Sequence, residues 1–79
     1  MKFRKNEIRR YNFSIHCIRE ELASGRHIIA CLGSAGITFN DDVERFYKYA
    51  LQIKALDISE EIIKYCNFII KGDGKNGRN

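Results

Sequence analysis

Five apolar side chains at alternating steps of three and four, Ile8, Tyr11, Ile15, Ile18 and Leu22, constrain this chain more than any other feature. The spacing places them on one stripe of an α-helix and predicts a helix from about Lys5 to Ala23 that must bury that stripe. Gly25 stands where a helix-terminating glycine belongs. A competing pattern overlaps the stripe. Tyr11-Asn12-Phe13-Ser14-Ile15-His16-Cys17 alternates apolar and polar with a period of two, and its tyrosine, phenylalanine and isoleucine suit a strand. The helical stripe is longer and runs on through Arg19-Glu20-Glu21-Leu22-Ala23, mostly good helix formers. An all-α fold is therefore expected, with an α+β fold that makes residues 11–18 a strand as the alternative.

The rest of the chain points the same way. It contains no proline, so no ring interrupts a helix. His27-Ile28-Ile29-Ala30-Cys31-Leu32 is too short and too apolar to type by period, but its alanine and leucine favour a second helix over 26–35, stopped by Gly36. Asn40 reads as an N-cap, and Asp41, Asp42 and Glu44 load the following turn with the negative charge a helix dipole favours. A third helix over 41–55 follows, on which Val43, Phe46, Tyr47, Ala50, Leu51 and Lys54 recur at helical spacing. A fourth begins at Asp57 or Ser59, where Asp57-Ile58-Ser59-Glu60 has the spacing of a capping box. It carries Ile58, Ile62, Cys66 and Ile69 as a stripe and ends at Gly72. The predicted architecture is one domain over residues 1–72, a bundle of three or four helices, with a flexible, glycine-rich basic tail over 73–79.

At 79 residues such a domain has a small core, and oligomerisation or partner binding is a common source of extra stability. The start, MKFRKNEIRR, lacks the apolar run of a signal peptide, and no stretch reaches the ~18 apolar residues of a membrane span. Three widely spaced cysteines, Cys17, Cys31 and Cys66, form no CxxC pair. A cytoplasmic protein with reduced thiols and no membrane association is expected.

Charge is segregated. Residues 1–10 hold Lys2, Arg4, Lys5, Arg9 and Arg10 against Glu7; residues 38–63 hold six acids against three bases; residues 64–79 hold four bases against Asp73. Basic ends flank an acidic centre, which suits self-association or a protein partner at least as well as a polyanion.

The stretch Cys31-Leu32-Gly33-Ser34-Ala35-Gly36-Ile37-Thr38-Phe39-Asn40-Asp41-Asp42 invites ligand-loop readings. It matches neither a Walker loop nor a dinucleotide fingerprint, and Asp41 and Asp42 place negative charge where a phosphate needs positive. Gly33-Ser34-Ala35-Gly36 has the spacing of a GXXG RNA clamp, but nothing after Phe46 supplies the strands such a module needs. A helix-turn-helix over 26–55 would lead into DNA with Asp41, Asp42 and Glu44, the wrong sign for phosphates. The glycines read better as joints between helices. His27 and Cys31, four apart, with His16, Cys17 and Cys66 elsewhere, lack the paired spacings of a zinc site. The acid pairs Asp41-Asp42 and Glu60-Glu61 fall at helix starts, where the dipole accounts for them. Neither a metal, nor a cofactor, nor catalysis is expected.

What remains is the basic N-terminus. Cations at a helix start oppose the helix dipole, so something outside that helix has a use for them. The expected contact residues are Arg4, Lys5, Arg9 and Arg10, joined by Arg45, Tyr47 and Lys48 from the outer half of the third helix. The expected function is a non-enzymatic protein-interaction module, a small regulator or inhibitor that docks, alone or as a homodimer, on a larger, host-type protein. Small inhibitors carried by phages or plasmids share this size and composition. The alternative is a nucleic-acid-binding regulator that uses the basic arm and the 26–55 helical pair.

Overall fold

The computed structural model describes residues 2–66, and every described regular element is helical. Helix α1 runs Lys5–Ala23, α2 Ile28–Ser34 and α3 Asn40–Gln52, and residues 56–66 form a fourth helical segment, α4. Residues 11–18 lie wholly within α1, so the strand alternative falls. The expected end of α4 at Gly72, the outer stripe residue Ile69 and the tail over 73–79 lie outside the described residues.

One device ends the first three helices. After α1, the Arg26 N–H donates to the Glu21 carbonyl and Gly25 N–H to that of Leu22. After α2, Ile37 N–H reaches the Leu32 carbonyl and Gly36 N–H that of Gly33. After α3, Ala55 N–H reaches the Ala50 carbonyl and Lys54 N–H that of Leu51. These are paired Schellman bonds, which need one residue with a left-handed backbone. Gly25 and Gly36 supply it at φ 95° and 80°, as their positions predict. Lys54 supplies it at φ 63°, an arrangement its side chain disfavours. Hence α3 stops at Gln52 rather than residue 55, and Lys54 leaves the helical stripe.

The helix starts also depart from expectation. Phe39, not Asn40, holds the extended N-cap position of α3, and Asn40 is its first helical residue. α2 begins at Ile28, because the His27 Nδ1 accepts from the Ile29 N–H at 3.1 Å and caps the helix from outside. α4 begins at residue 56, so Asp57 is already inside its first turn and opens no capping box.

α1 packs against both α2 and α3. Tyr11, Ile15 and Ile18 from the α1 stripe meet Ile28, Cys31 and Leu32 of α2, Val43, Phe46, Tyr49 and Ala50 of α3, and Ile58, Ile62 and Cys66 of α4. Ile8, the first stripe member, remains 37% exposed, outside this core. Phe3 folds back before α1 and sets its ring edge-on to Tyr11 and Tyr49, while Tyr11 meets Phe46 at 5.2 Å between centroids. Edge-to-face pairs of this kind add to the area they bury. Tyr49 belongs to this cluster and is buried, whereas Leu51, which recurs at helical spacing in the sequence, is exposed.

Candidate protein-interaction face

The acidic centre and the basic N-terminus meet within one chain. The Arg45 guanidinium donates to both Glu7 oxygens at 2.6 and 2.9 Å, and also reaches the Lys2 carbonyl at 3.1 Å. It lies 4.8 Å from the centre of the Phe3 ring. Those bonds, with the Arg4 N–H to Glu7 at 2.8 Å, pull the Glu7 carboxyl from its ordinary 4.5 down to about 2. The polarity of the contact is the reverse of the regional charge: the arm contributes its one acid, and acidic α3 contributes a base.

Nearby, Asp42 on α3 accepts from the Tyr11 hydroxyl at 3.0 Å and lies 3.5 Å from Arg10. Burial first, and the hydrogen bond to Asp42 second, push the Tyr11 hydroxyl up to about 12. Tyr49 donates to the Asn12 side chain at 2.5 Å. The first turn of α3 therefore faces α1, and Asp42 is occupied there.

The seven expected contact residues divide accordingly. Arg45 is half-buried and engaged by Glu7, and Tyr47 is half-buried against the core, so neither stands on an exposed half of α3. Lys48 is exposed but lies 3.4 Å from Glu44. Arg10 is half-engaged by Asp42. Arg4, Lys5 and Arg9 are exposed, and among the described residues they form no ion pair.

Two residues outside that set stand out. Phe13 is 68% exposed on the outer side of α1, and Phe39 is 76% exposed at the start of α3. Phe13 borders a groove of about 270 Å³ between α1 and α2, lined also by Arg10, Cys17, Cys31, Ser34 and Ala35. The signal for Phe13 was present in the sequence: it lies off the α1 stripe, so a helical Lys5–Ala23 has to turn it outward.

A wider, open depression of about 700 Å³ lies between the end of α1 and α4. Across it Arg19 grips Asp57 at 2.6 and 2.9 Å, which holds the Asp57 carboxyl below the usual aspartate range. His27 stacks edge-on against Tyr65 at 4.4 Å.

The cysteine chemistry is quiet. Burial, then the neighbouring Glu21 carboxylate, push the Cys31 thiol up, and burial does the same to Cys66. Raised thiols are poor nucleophiles. Among the described residues no three His, Cys, Asp or Glu side chains converge as a metal would require, and no helix is long and apolar enough to cross a membrane.

Comparisons of the chain with protein-family models, with curated proteins and with solved structures find no match. The geometry of this face therefore carries the functional argument. It combines a solvent-facing aromatic, a shallow groove and cations without acidic partners. Aromatic and arginine side chains of this kind are enriched at protein interfaces and at their energetic centres.

Proposed function

We propose that this chain is a non-enzymatic protein-interaction module, a small regulator or inhibitor that docks on a larger protein through the outer face of α1. The observation that carries the proposal is Phe13, two-thirds exposed at the rim of the α1–α2 groove, one helical turn from exposed Arg9 and from Arg10, which lines the same groove. Covering the exposed part of that ring contributes about 1 to 2 kcal/mol to an association. The adjacent cations favour an acidic counter-surface and speed encounter with it.

The test compares capture of binding partners by the wild-type chain with capture by Phe13→Ser and Arg9→Glu. Both positions are exposed, so both variants retain the helical circular dichroism of the parent. The expected result is a partner held by wild type and lost by each variant. Capture indifferent to both changes would remove this face from consideration.

A nucleic-acid-binding role is the second reading, and one observation favours it: Arg4, Lys5 and Arg9 have no acidic partner among the described residues. The 26–55 helical pair adds little to it, because Arg45 is bound by Glu7 and the first turn of α3 carries Asp41 and Asp42. Retardation of duplex DNA or RNA at low salt, abolished by changing Arg9 and Arg10 to Ala, would favour this reading; absence of retardation at low salt would end it.

A further inference from the structure

The outer ridge of α1 is made of Arg9, Phe13, His16 and Glu20, at steps of four, three and four. Phe13, His16 and Glu20 are each about 70% exposed, and Arg9 is exposed. Along the helix the ridge therefore runs base, aromatic, imidazole, acid. Read backwards it runs acid, imidazole, aromatic, base. Two copies laid antiparallel, with a twofold axis midway between Ser14 and Ile15, place Arg9 of each against Glu20 of the other and Phe13 of each against His16 of the other. A twofold contact has to be self-complementary in just this way. A parallel arrangement would set Arg9 on Arg9 and Glu20 on Glu20.

We infer that this ridge is an isologous contact with a second copy of the chain, an antiparallel pairing of two α1 helices. The inference rests on the proposal that the α1 face binds protein, and it adds a second copy of the chain as an occupant of that face, in competition with a larger protein. Its occupant is selected by charge complementarity along the ridge itself: Arg9, in no ion pair among the described residues, lies toward one end and Glu20 toward the other, whereas Arg10 is held by Asp42 and Glu21 by Arg26. In the single chain His16 lies 3.5 Å from Glu20, so that acid is within reach of the same ridge from which the opposing arginine would approach.

The size of the contact sets its strength. A 19-residue helix is about 28 Å long, and a ridge about 10 Å wide gives roughly 300 Å² per copy. That is below the roughly 800 Å² per partner of a standard interface, so the dimer is weak and concentration-dependent.

Sedimentation velocity over a concentration series provides the test. The wild-type chain is expected to shift from monomer toward dimer as concentration rises. Arg9→Glu alone and Glu20→Arg alone each turn two attractive pairs into two repulsive ones and weaken the dimer by about tenfold. An equimolar mixture of the two variants restores both attractive pairs and recovers association as a heterodimer. Phe13→Ser weakens every combination. A wild-type chain that stays monomeric at all attainable concentrations, or a mixture that associates no better than its components, overturns the inference. In that event Phe13-dependent capture of another protein would leave the interaction-module proposal standing. Loss of both results would remove both.

Discussion

Replacing Tyr11 with Phe isolates the contact that docks the start of α3 on α1. The Tyr11 ring is fully buried and touches Phe3, Phe46 and Tyr49, and Phe preserves all of that packing. Only the hydroxyl is lost, with its 3.0 Å bond to Asp42. A hydrogen bond to a charged group contributes about 1.5–3 kcal/mol, but Asp42 is 24% exposed and keeps Arg10 nearby, so water replaces part of what is removed. The expected cost of Tyr11→Phe is about 1 to 1.5 kcal/mol. Asp42→Ala is the harsher change, because it leaves the Tyr11 hydroxyl buried without its acceptor; about 2 kcal/mol is expected. The double variant has no stranded donor, so its cost falls short of the sum by about 1 kcal/mol. Urea unfolding followed by far-ultraviolet circular dichroism measures all four species at constant m-value. Asp42→Ala no worse than Tyr11→Phe, or strict additivity, would refute the argument that this bond joins the two helices.

Four further outcomes follow from the same geometry. The folded chain holds Glu7 near 2 against an ordinary 4.5, so the stability it confers is full above about pH 4.5 and is lost as pH falls toward 2; Glu7→Gln should flatten that part of a stability-versus-pH curve. Lys54→Gly relieves a left-handed backbone and should raise the melting temperature by about 4 °C, seen in a thermal scan. Gly36→Ala should cost about 1 kcal/mol in urea unfolding through its φ of 80° alone, since nothing lies within 4 Å of the added carbon. Cys17, partly exposed, should react with a thiol reagent in the native chain, whereas buried Cys31 and Cys66 should react only on unfolding; simultaneous labelling of all three would contradict the packing.

The local rules were legible and the long-range ones were not. The α1 stripe and Gly25 place that helix at Lys5–Ala23, because periodicity and a left-handed stop are both local properties. The end of α3 was hidden because the left-handed position falls on a lysine, a residue that carries no turn signal. The His27 cap was hidden for a related reason, since an imidazole that caps a helix looks in sequence like the start of that helix. Tyr49 was missed as a core residue because Phe3, from a segment with no pattern of its own, completes the cluster around it. At the candidate face, the exposure of Arg9 could be read from the helix, but the capture of Arg45 could not, because Glu7 is 38 residues away. Phe13 was readable as an outward residue of α1 once the helix was accepted, and the paired order of charges along the ridge becomes visible only when buried and outer faces are separated.

The side-chain contacts that reach across the fold share one more property. Tyr11–Asp42, Glu7–Arg45, Asn12–Tyr49 and Arg19–Asp57 span 31, 38, 37 and 38 residues. The loops they close overlap, and all four contain residues 19–42. Closing a loop of that length costs on the order of 3 kcal/mol of entropy beyond a constant, and the cost grows only with the logarithm of length. Whichever contact forms first restricts the chain for the others, which then form at little additional entropic cost. The described helices should accordingly assemble in a single kinetic step governed by one encounter between α1 and the segment that begins at α3. Substitutions at Glu7 or Tyr11 should then slow folding, while those at Lys54 act mainly on unfolding.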